Sequence, residues 1–256
     1  MKIGLLSTFP PDSCGIAIYA DNLYKNLKGK VDVVRIGDIG ANAEYQLDFK
    51  SSSLKKQLRE IIKKEGIQIL HVQHNYGLFS KYFNYNIVSA LGQKIPIVVT
   101  LHEVHDGKGG IREKLIFSIQ KRIVRNCAKL IVHTPNQIKT IGRKAECVFM
   151  GVDNHGEHKL QGKTLLFLGF INTGKGVEYL IDAMQYLPEF KLVIAGKIAN
   201  SKYGKKIEKM VSGKKNIIFK PGWVEESDKK QMYLNTDIVV LPYVWAPYQS
   251  AVLHDA

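Results

Sequence analysis

Residues 164–176 read Thr164-Leu165-Leu166-Phe167-Leu168-Gly169-Phe170-Ile171-Asn172-Thr173-Gly174-Lys175-Gly176. A short apolar run gives way to a glycine-rich turn, and a helical pattern starts directly behind it. An unbroken apolar run of this length fits a strand covered on both faces, the kind found in parallel sheets. The turn nearly spells the phosphate loop G-x-x-x-x-G-K-[ST], but Gly176 stands where the hydroxyl that ligates Mg²⁺ is required. No later apolar strand ends in an aspartate for a second Mg²⁺ contact, so an ATPase is disfavoured. What survives is a lysine in a glycine-rich turn at a helix N-terminus, suited to neutralising a phosphate or diphosphate.

The same alternation extends in both directions. Upstream, apolar runs at 2–7, 31–36, 69–73, 97–101, 130–134 and 147–149 alternate with helical stretches such as 16–27 and 53–65. Downstream, strands are expected at 191–195, 216–219 and 238–241, with helices at 177–187, 205–211 and 228–235 and a last one starting at 250. Repeated strand–helix units imply α/β architecture with parallel sheets. The polar, period-free stretch after Val152 breaks the rhythm, which divides the chain into 1–152, a linker at 153–163, and 164–256. With four strands and an abrupt stop, the second domain reads as incomplete.

Composition narrows the function classes. The 256 residues are 45% hydrophobic and 23% charged, a globular composition, and no apolar run approaches the length of a spanning helix. Cys14, Cys127 and Cys147 are odd in number and widely spaced, so neither a disulfide framework nor a zinc site is expected, and the cytoplasm is the expected location. The net charge of +14 suits an anionic partner, yet no nucleic-acid-binding module accompanies it, and no specific nucleic acid is expected. A helix over 112–129 carries Leu115, Ile116, Ile119, Ile123 and Val124 on one face, with Lys114, Lys121, Arg122 and Arg125 around it. Peripheral contact with an anionic membrane is one reading of it; packing of the apolar face on the first sheet is the other.

Three further segments sit where chemistry is expected. Thr8-Phe9-Pro10-Pro11-Asp12-Ser13-Cys14-Gly15 joins a strand to a helix N-terminus, where free N–H groups favour anions. His102 follows a buried strand, and His71, Gln73, His74 and Asn75 close another, a polar set suited to hydroxyl groups. His71 and His74 are three apart on a strand and face opposite sides, which disfavours a shared metal ion. Leu241-Pro242-Tyr243 leads a strand out into a loop that reaches a helix start at Ser250 and Ala251, with Asp255 further along. Ser250 reads either as a phosphate-site residue or as a simple helix cap.

Taken in order, the Pro-Pro-x-x-x-Gly loop, the Thr100-Leu101-His102 strand end, Met150-Gly151-Val152-Asp153, the Gly169-Phe170-Ile171…Lys175-Gly176 turn and the Leu241-Pro242-Tyr243…Gln249-Ser250 stretch resemble the retaining glycosyltransferases of group 1, or family 4. The resemblance implies a GT-B fold: two Rossmann-like, doubly wound domains facing across a cleft, the second incomplete here. It implies transfer of a sugar from a nucleoside-diphosphate sugar to a glycan or lipid-linked acceptor, with retention and without a metal or other cofactor. Gly15 then matches a glycine beside the diphosphate, and His102 a histidine of the sugar pocket, expected with Lys175 to be catalytic. Lys175 matches a lysine that balances the diphosphate charge, with Gly169 and Gly174 in the same donor turn. Ser250 and Ala251 match amides that meet the phosphates, and Asp255 matches a ribose-binding glutamate. Gln73, His74 and Asp12 are the expected acceptor or sugar pocket. Two positions depart from the pattern: the family's arginine falls on Phe170 and one of its glutamates on Pro247. Those losses motivate a second reading, a non-catalytic sugar-nucleotide or glycan-binding protein.

Overall fold

The computed structural model of the chain describes residues 1–78, 95–142, 145–152, 156, 162–244 and 250–256. It divides into two compact units, the first comprising Met1–Phe149 and the second beginning at Met150. Most of the expected linker, 153–155 and 157–161, lies outside the described residues.

In the first unit, β1 (Lys2–Leu6), α1 (Gly15–Leu27), β2 (Asp32–Asp38), β3 (Tyr45–Leu47), α2 (Leu54–Glu65), β4 (Ile69–His74), β5 (Ile97–Leu101), α3 (Ile111–Asn126), β6 (Lys129–Val132), α4 (Pro135–Ile141) and β7 (Ala145–Cys147) follow one another. The strands form a parallel sheet in the order β3-β2-β1-β4-β5-β6-β7. Adjacent leucines of β1 point to opposite faces. Leu6 joins Leu54, Leu58 and Ile61 of α2, whereas Leu5 packs with Phe9 and Ala20 on the other side. Two-sided burial is why these strands read as continuous apolar runs rather than alternating ones. The strand β3 has no such run; it is a three-residue edge element, and sequence pattern gave no sign of it.

Local signals set the helix ends. Gly66 takes φ 63° at the C-cap of α2, and Ile67 N–H reaches back to Ile62 C=O at 3.0 Å, the glycine-terminated stop of a Schellman motif. Thr134 and Gln137 form a reciprocal capping box with Pro135 in the first turn of α4. In α3, Ile119 and Ile123 are buried and Ile116 and Val124 pack against the same core, so the apolar face lies on the sheet. Only Ile111 and Leu115, 88% and 38% exposed, are left as large apolar groups on its outer side.

The second unit runs β8 (Thr164–Leu168), a 3₁₀ turn (Thr173–Lys175), α5 (Val177–Ala183), β9 (Lys191–Gly196), α6 (Ser201–Val211), β10 (Ile217–Pro221), α7 (Glu226–Leu234), β11 (Ile238–Val239) and α8 (Ala251–Asp255). Its parallel sheet has the order β10-β9-β8-β11 among the described residues. The sequence expectation for 177–187 is corrected here: α5 ends at Ala183 and tightens into a 3₁₀ turn over Met184–Tyr186. Pro188 disfavours helical conformation in the residue before it, which closes the element early. Conversely α6 starts four residues ahead of the expected 205. Asn200 caps it by accepting from Tyr203 N–H at 2.9 Å, and Gly204, which weakened the helical pattern, lets Ile198 approach.

Candidate active site

Ligands of open parallel sheets bind beyond the carboxyl ends of the strands, at the point where strand order reverses. In the second unit that point lies between β8 and β11. The glycine-rich turn leaves β8 and the Pro242-Tyr243 exit leaves β11, so both candidate segments converge there.

The turn is held by the Asn172 side chain and by backbone of the segment that leaves β11. Asn172 Oδ1 accepts from Gly174 N–H at 3.0 Å, and Gly174 C=O accepts from Val244 N–H at 3.1 Å. Gly176 has φ 67°, and a Cβ there would sit 2.0 Å from Pro242 O. Only glycine fits where the two segments touch. Lys175 is consequently only 8% exposed, with Nζ 3.6 Å from the centroid of the Tyr243 ring. Burial pushes its pKa down to about 8. Tyr243 Oη in turn lies 3.2 Å from Ser250 Oγ, so one ring joins the lysine to the start of α8. Ser250 makes no side-chain cap bond; its hydroxyl faces Tyr243 instead.

Gly169, at φ 131°, hydrogen-bonds through its N–H to Ala195 O, and a Cβ on the neighbouring Gly196 would lie 1.8 Å from Gly169 O. Ala251 is exposed at the first position of α8. Asp255 is ion-paired with Lys229 of α7 at 2.5 Å, the two side chains 11% and 19% exposed. Neither Lys229 nor the Tyr243 ring was singled out from sequence. Tyr243 carried a faint signal, an aromatic group directly after a strand-terminating Leu-Pro, whereas Lys229 was one lysine among many. Phe170 packs near Trp223, ring centroids 6.4 Å apart, in place of the arginine the resemblance leads one to expect. Pro247 lies outside the described residues.

The first unit places a row of histidines at the carboxyl edge of its sheet. His71 Nε2 is 2.9 Å from Thr100 Oγ1 and 3.2 Å from the Gln73 amide. The Gln73 nitrogen faces His71 and its Oε1 is 2.9 Å from His102 Nε2, His102 Nδ1 is 3.4 Å from His133 Nε2, and His133 Nδ1 is 2.9 Å from Val148 O. Tyr19 of α1 presses edge-on against His102 and His133, with centroids 4.9 and 5.3 Å away. Burial, reinforced by the other histidines, pushes His102 down to about 3, and burial alone pushes His71 down to about 4. His71 and His102 are thereby held neutral at pH 7.

Gln73 and His102 are thus brought together as expected from their strand ends. His74 is fully buried on the opposite face of β4, against Tyr76 at 4.9 Å, and burial pushes it down to about 3. It does not join the row. His133, which closes the row, was missed: it follows β6 as His102 follows β5, and that positional equivalence was the available signal. Asp12 is half-buried in the loop after β1, its carboxyl pushed up by burial and by Asp38. Gly15 opens α1, and a Cβ there would meet nothing within 4 Å, so the space over this helix start is clear within its unit. Cys14 caps that helix by accepting from Ala17 N–H at 3.3 Å.

Two parallel-sheet units of this kind, with a lysine-bearing turn at the switch point of the second, define a GT-B architecture with Rossmann-like domains. The chain resembles a glycosyltransferase from Rickettsia africae over 95% of its length and 73% of that chain, at 15% identity and TM-score 0.66. It resembles a UDP-forming α,α-trehalose-phosphate synthase from Burkholderia xenovorans over 97% and 80%, at 11% identity and TM-score 0.70. Residues 15–145, just over half of the chain, match Glycosyltransferase Family 4, and residues 153–253 match Glycosyl transferases group 1. The chain belongs to Glycosyltransferase Family 4. It is 35% identical over 89 residues to an uncharacterized glycosyltransferase of Methanocaldococcus jannaschii, a match covering 34% of this chain and 23% of that relative's length.

Proposed function

We propose that the protein transfers a glycosyl group from a nucleoside-diphosphate sugar to a glycan or lipid-linked acceptor, with retention at the anomeric carbon. The observation that carries this reading is Lys175: a half-desolvated ammonium held in a glycine-rich turn at the switch point of the second sheet. As the sugar–phosphate bond breaks, negative charge grows on the departing diphosphate. A pre-oriented cation in a poorly hydrated site stabilises that charge more than it stabilises the ground state. Gly15, Gly169, Gly174, Ser250, Ala251 and Asp255 are the proposed donor contacts, His102 the proposed catalytic partner of Lys175 in the sugar pocket, and Gln73 and Asp12 the proposed sugar or acceptor contacts; His74, buried on the other face of β4, is left out of the pocket. No metal or other cofactor takes part in this scheme. The polar, neutral character of the histidine row supports hydroxyl recognition there, because uncharged imidazoles both donate and accept.

Peripheral contact with an anionic membrane belongs to the same proposal. With the inner face of α3 spent on the core, the support for it is the exposed set Arg112, Lys114, Lys121, Arg122 and Arg125, flanked by Ile111 and Leu115. Among the described residues no helix is long and apolar enough to cross a membrane.

The test is calorimetric titration with nucleoside diphosphates and their sugar conjugates, followed by a transfer and donor-hydrolysis assay, each with Lys175→Met alongside. Binding and turnover that both collapse in Lys175→Met support the enzyme. Tight binding without any turnover supports the second reading, a sugar-nucleotide-binding protein, favoured by Phe170 in the arginine position and by Asp255 already engaged with Lys229. No binding at all ends both.

A further inference from the structure

The histidine row has a direction, and the direction follows from its last member. A carbonyl oxygen only accepts, so Val148 O takes a proton from His133 Nδ1. With His133 protonated on Nδ1 alone, its Nε2 accepts, and the 3.4 Å contact is attractive only if His102 Nδ1 carries the hydrogen. His102 Nε2 is left as a lone pair, so the Gln73 amide, whose Oε1 is placed toward His102 and Nε2 toward His71, must be turned over to offer it an N–H. Its oxygen then faces His71 Nε2, which donates. The nitrogen and oxygen of a glutamine amide are nearly the same size, and the network around them decides which faces which. With the oxygen toward His102 the row needs one more proton, an imidazolium shared by two rings. Among the described residues the groups facing His102 are His133 beyond β6, Gln73 and His71 of β4, and Tyr19 of α1, with His74 repelling it only from the other face of β4; none is an anion that would offset that charge.

We propose that His133 is a positioning residue for His102, fixing it as the neutral tautomer protonated on Nδ1, so that a sugar hydroxyl can replace the Gln73 amide as donor to Nε2. His102 keeps part of its surface exposed while His133 has none, so the open end of the pair is the end with the lone pair. The site selects ligand hydroxyls acting as donors and rejects groups that only accept, such as ethers or esters in the same place. The recognition half rests on the reading of His102 as a sugar-pocket residue; the tautomer half does not.

Two-bond proton–nitrogen correlation spectra of the full chain carrying isotope-labelled histidine report the tautomer directly. At pH 7 the expected result is that His102 and His133 are both neutral and protonated on Nδ1. In His133→Phe, the His102 proton is expected to move to Nε2, against the Gln73 oxygen. Affinity for a nucleoside-diphosphate sugar then falls about tenfold, the loss of one hydrogen bond, while affinity for the bare nucleoside diphosphate stays within about twofold. A purely structural role would weaken both ligands alike and so overturn the proposal. Protonation of His102 on Nε2, or on both nitrogens, in the unmodified protein also overturns it, and this measurement needs no variant to fold. If the unmodified chain binds no nucleotide while His102 is found protonated on Nδ1, the donor reading fails and the positioning by His133 stands.

Discussion

Tyr243 covers the ammonium of Lys175 with its ring face, Nζ lying 3.6 Å from the ring centroid, and its hydroxyl faces Ser250 Oγ at 3.2 Å. The mostly buried ammonium therefore has a π-face on one side where an exposed lysine has water. Such a contact is worth on the order of 2 kcal/mol when desolvated. It keeps the cation aimed but leaves its proton easier to lose than an exposed lysine's.

Nucleoside-diphosphate affinity should accordingly depend on pH in the alkaline range. The lysine's pKa is lowered to about 8, so the charged form dominates at pH 7 and is lost as pH rises through 8. Calorimetric affinity should be flat from pH 6 to 7 and weaken above 8, and Lys175→Arg should remove that decline because guanidinium stays protonated. An affinity unchanged up to pH 10 in the unmodified protein would mean that Lys175 does not meet the phosphates.

Gly176→Ala should destabilise the second unit by at least about 2 kcal/mol, since it combines left-handed backbone with a collision against Pro242 O. Gly15→Ala, in ordinary helical backbone with clear space, should change stability by less than about 1 kcal/mol. Urea unfolding followed by circular dichroism distinguishes the two.

Acid should weaken the first unit early. His71, His74 and His102 are held neutral with pKa values near 4, 3 and 3, against an ordinary value of 6.5. Below pH 6.5 the unfolded chain binds protons that the folded one refuses, so stability falls as pH drops through that window. The slope is about 1.4 kcal/mol per pH unit for each such histidine. Thermal unfolding between pH 7 and 4 should show the loss, and His74→Phe should reduce its slope.

The Lys229–Asp255 pair ties α8 to α7 with both side chains mostly out of water. Lys229→Met removes the cation beside Asp255 and should cost more than the double change, whereas after Asp255→Asn the lysine keeps Glu226 at 3.5 Å and the cost should be smaller. A coupling energy of about 1–3 kcal/mol is expected from the double-mutant cycle. Zero coupling would make the pair a surface contact of no consequence.

Replacing Lys121 and Arg125 together by glutamate should abolish binding to vesicles rich in anionic lipid, each basic group contributing on the order of 1 kcal/mol. Unchanged co-sedimentation would remove the membrane contact.

Much of this architecture was legible because two-sided burial writes itself as apolar runs: 97–101 and 164–168 coincide with β5 and β8 to the residue. The elements that went unseen lack that signature. The strand β3 is three residues long at a sheet edge, and the first turn of α6 hides behind Gly204, whose role is to admit Ile198. Among site residues, Lys175 was visible because glycines punctuate its turn. Tyr243, His133 and Lys229 were not, since what gives them meaning is a neighbour far away in sequence: a ring over an ammonium, a nitrogen against a nitrogen, a cation against Asp255.

The bond from Val244 N–H to Gly174 C=O, with Pro242 O wedged against Gly176, makes one mechanical part of two stretches almost seventy residues apart. Because Tyr243 also meets Ser250 and Val252 lies beside Gly169, a reporter dye placed on α8 should register occupancy of the loop that carries the ammonium.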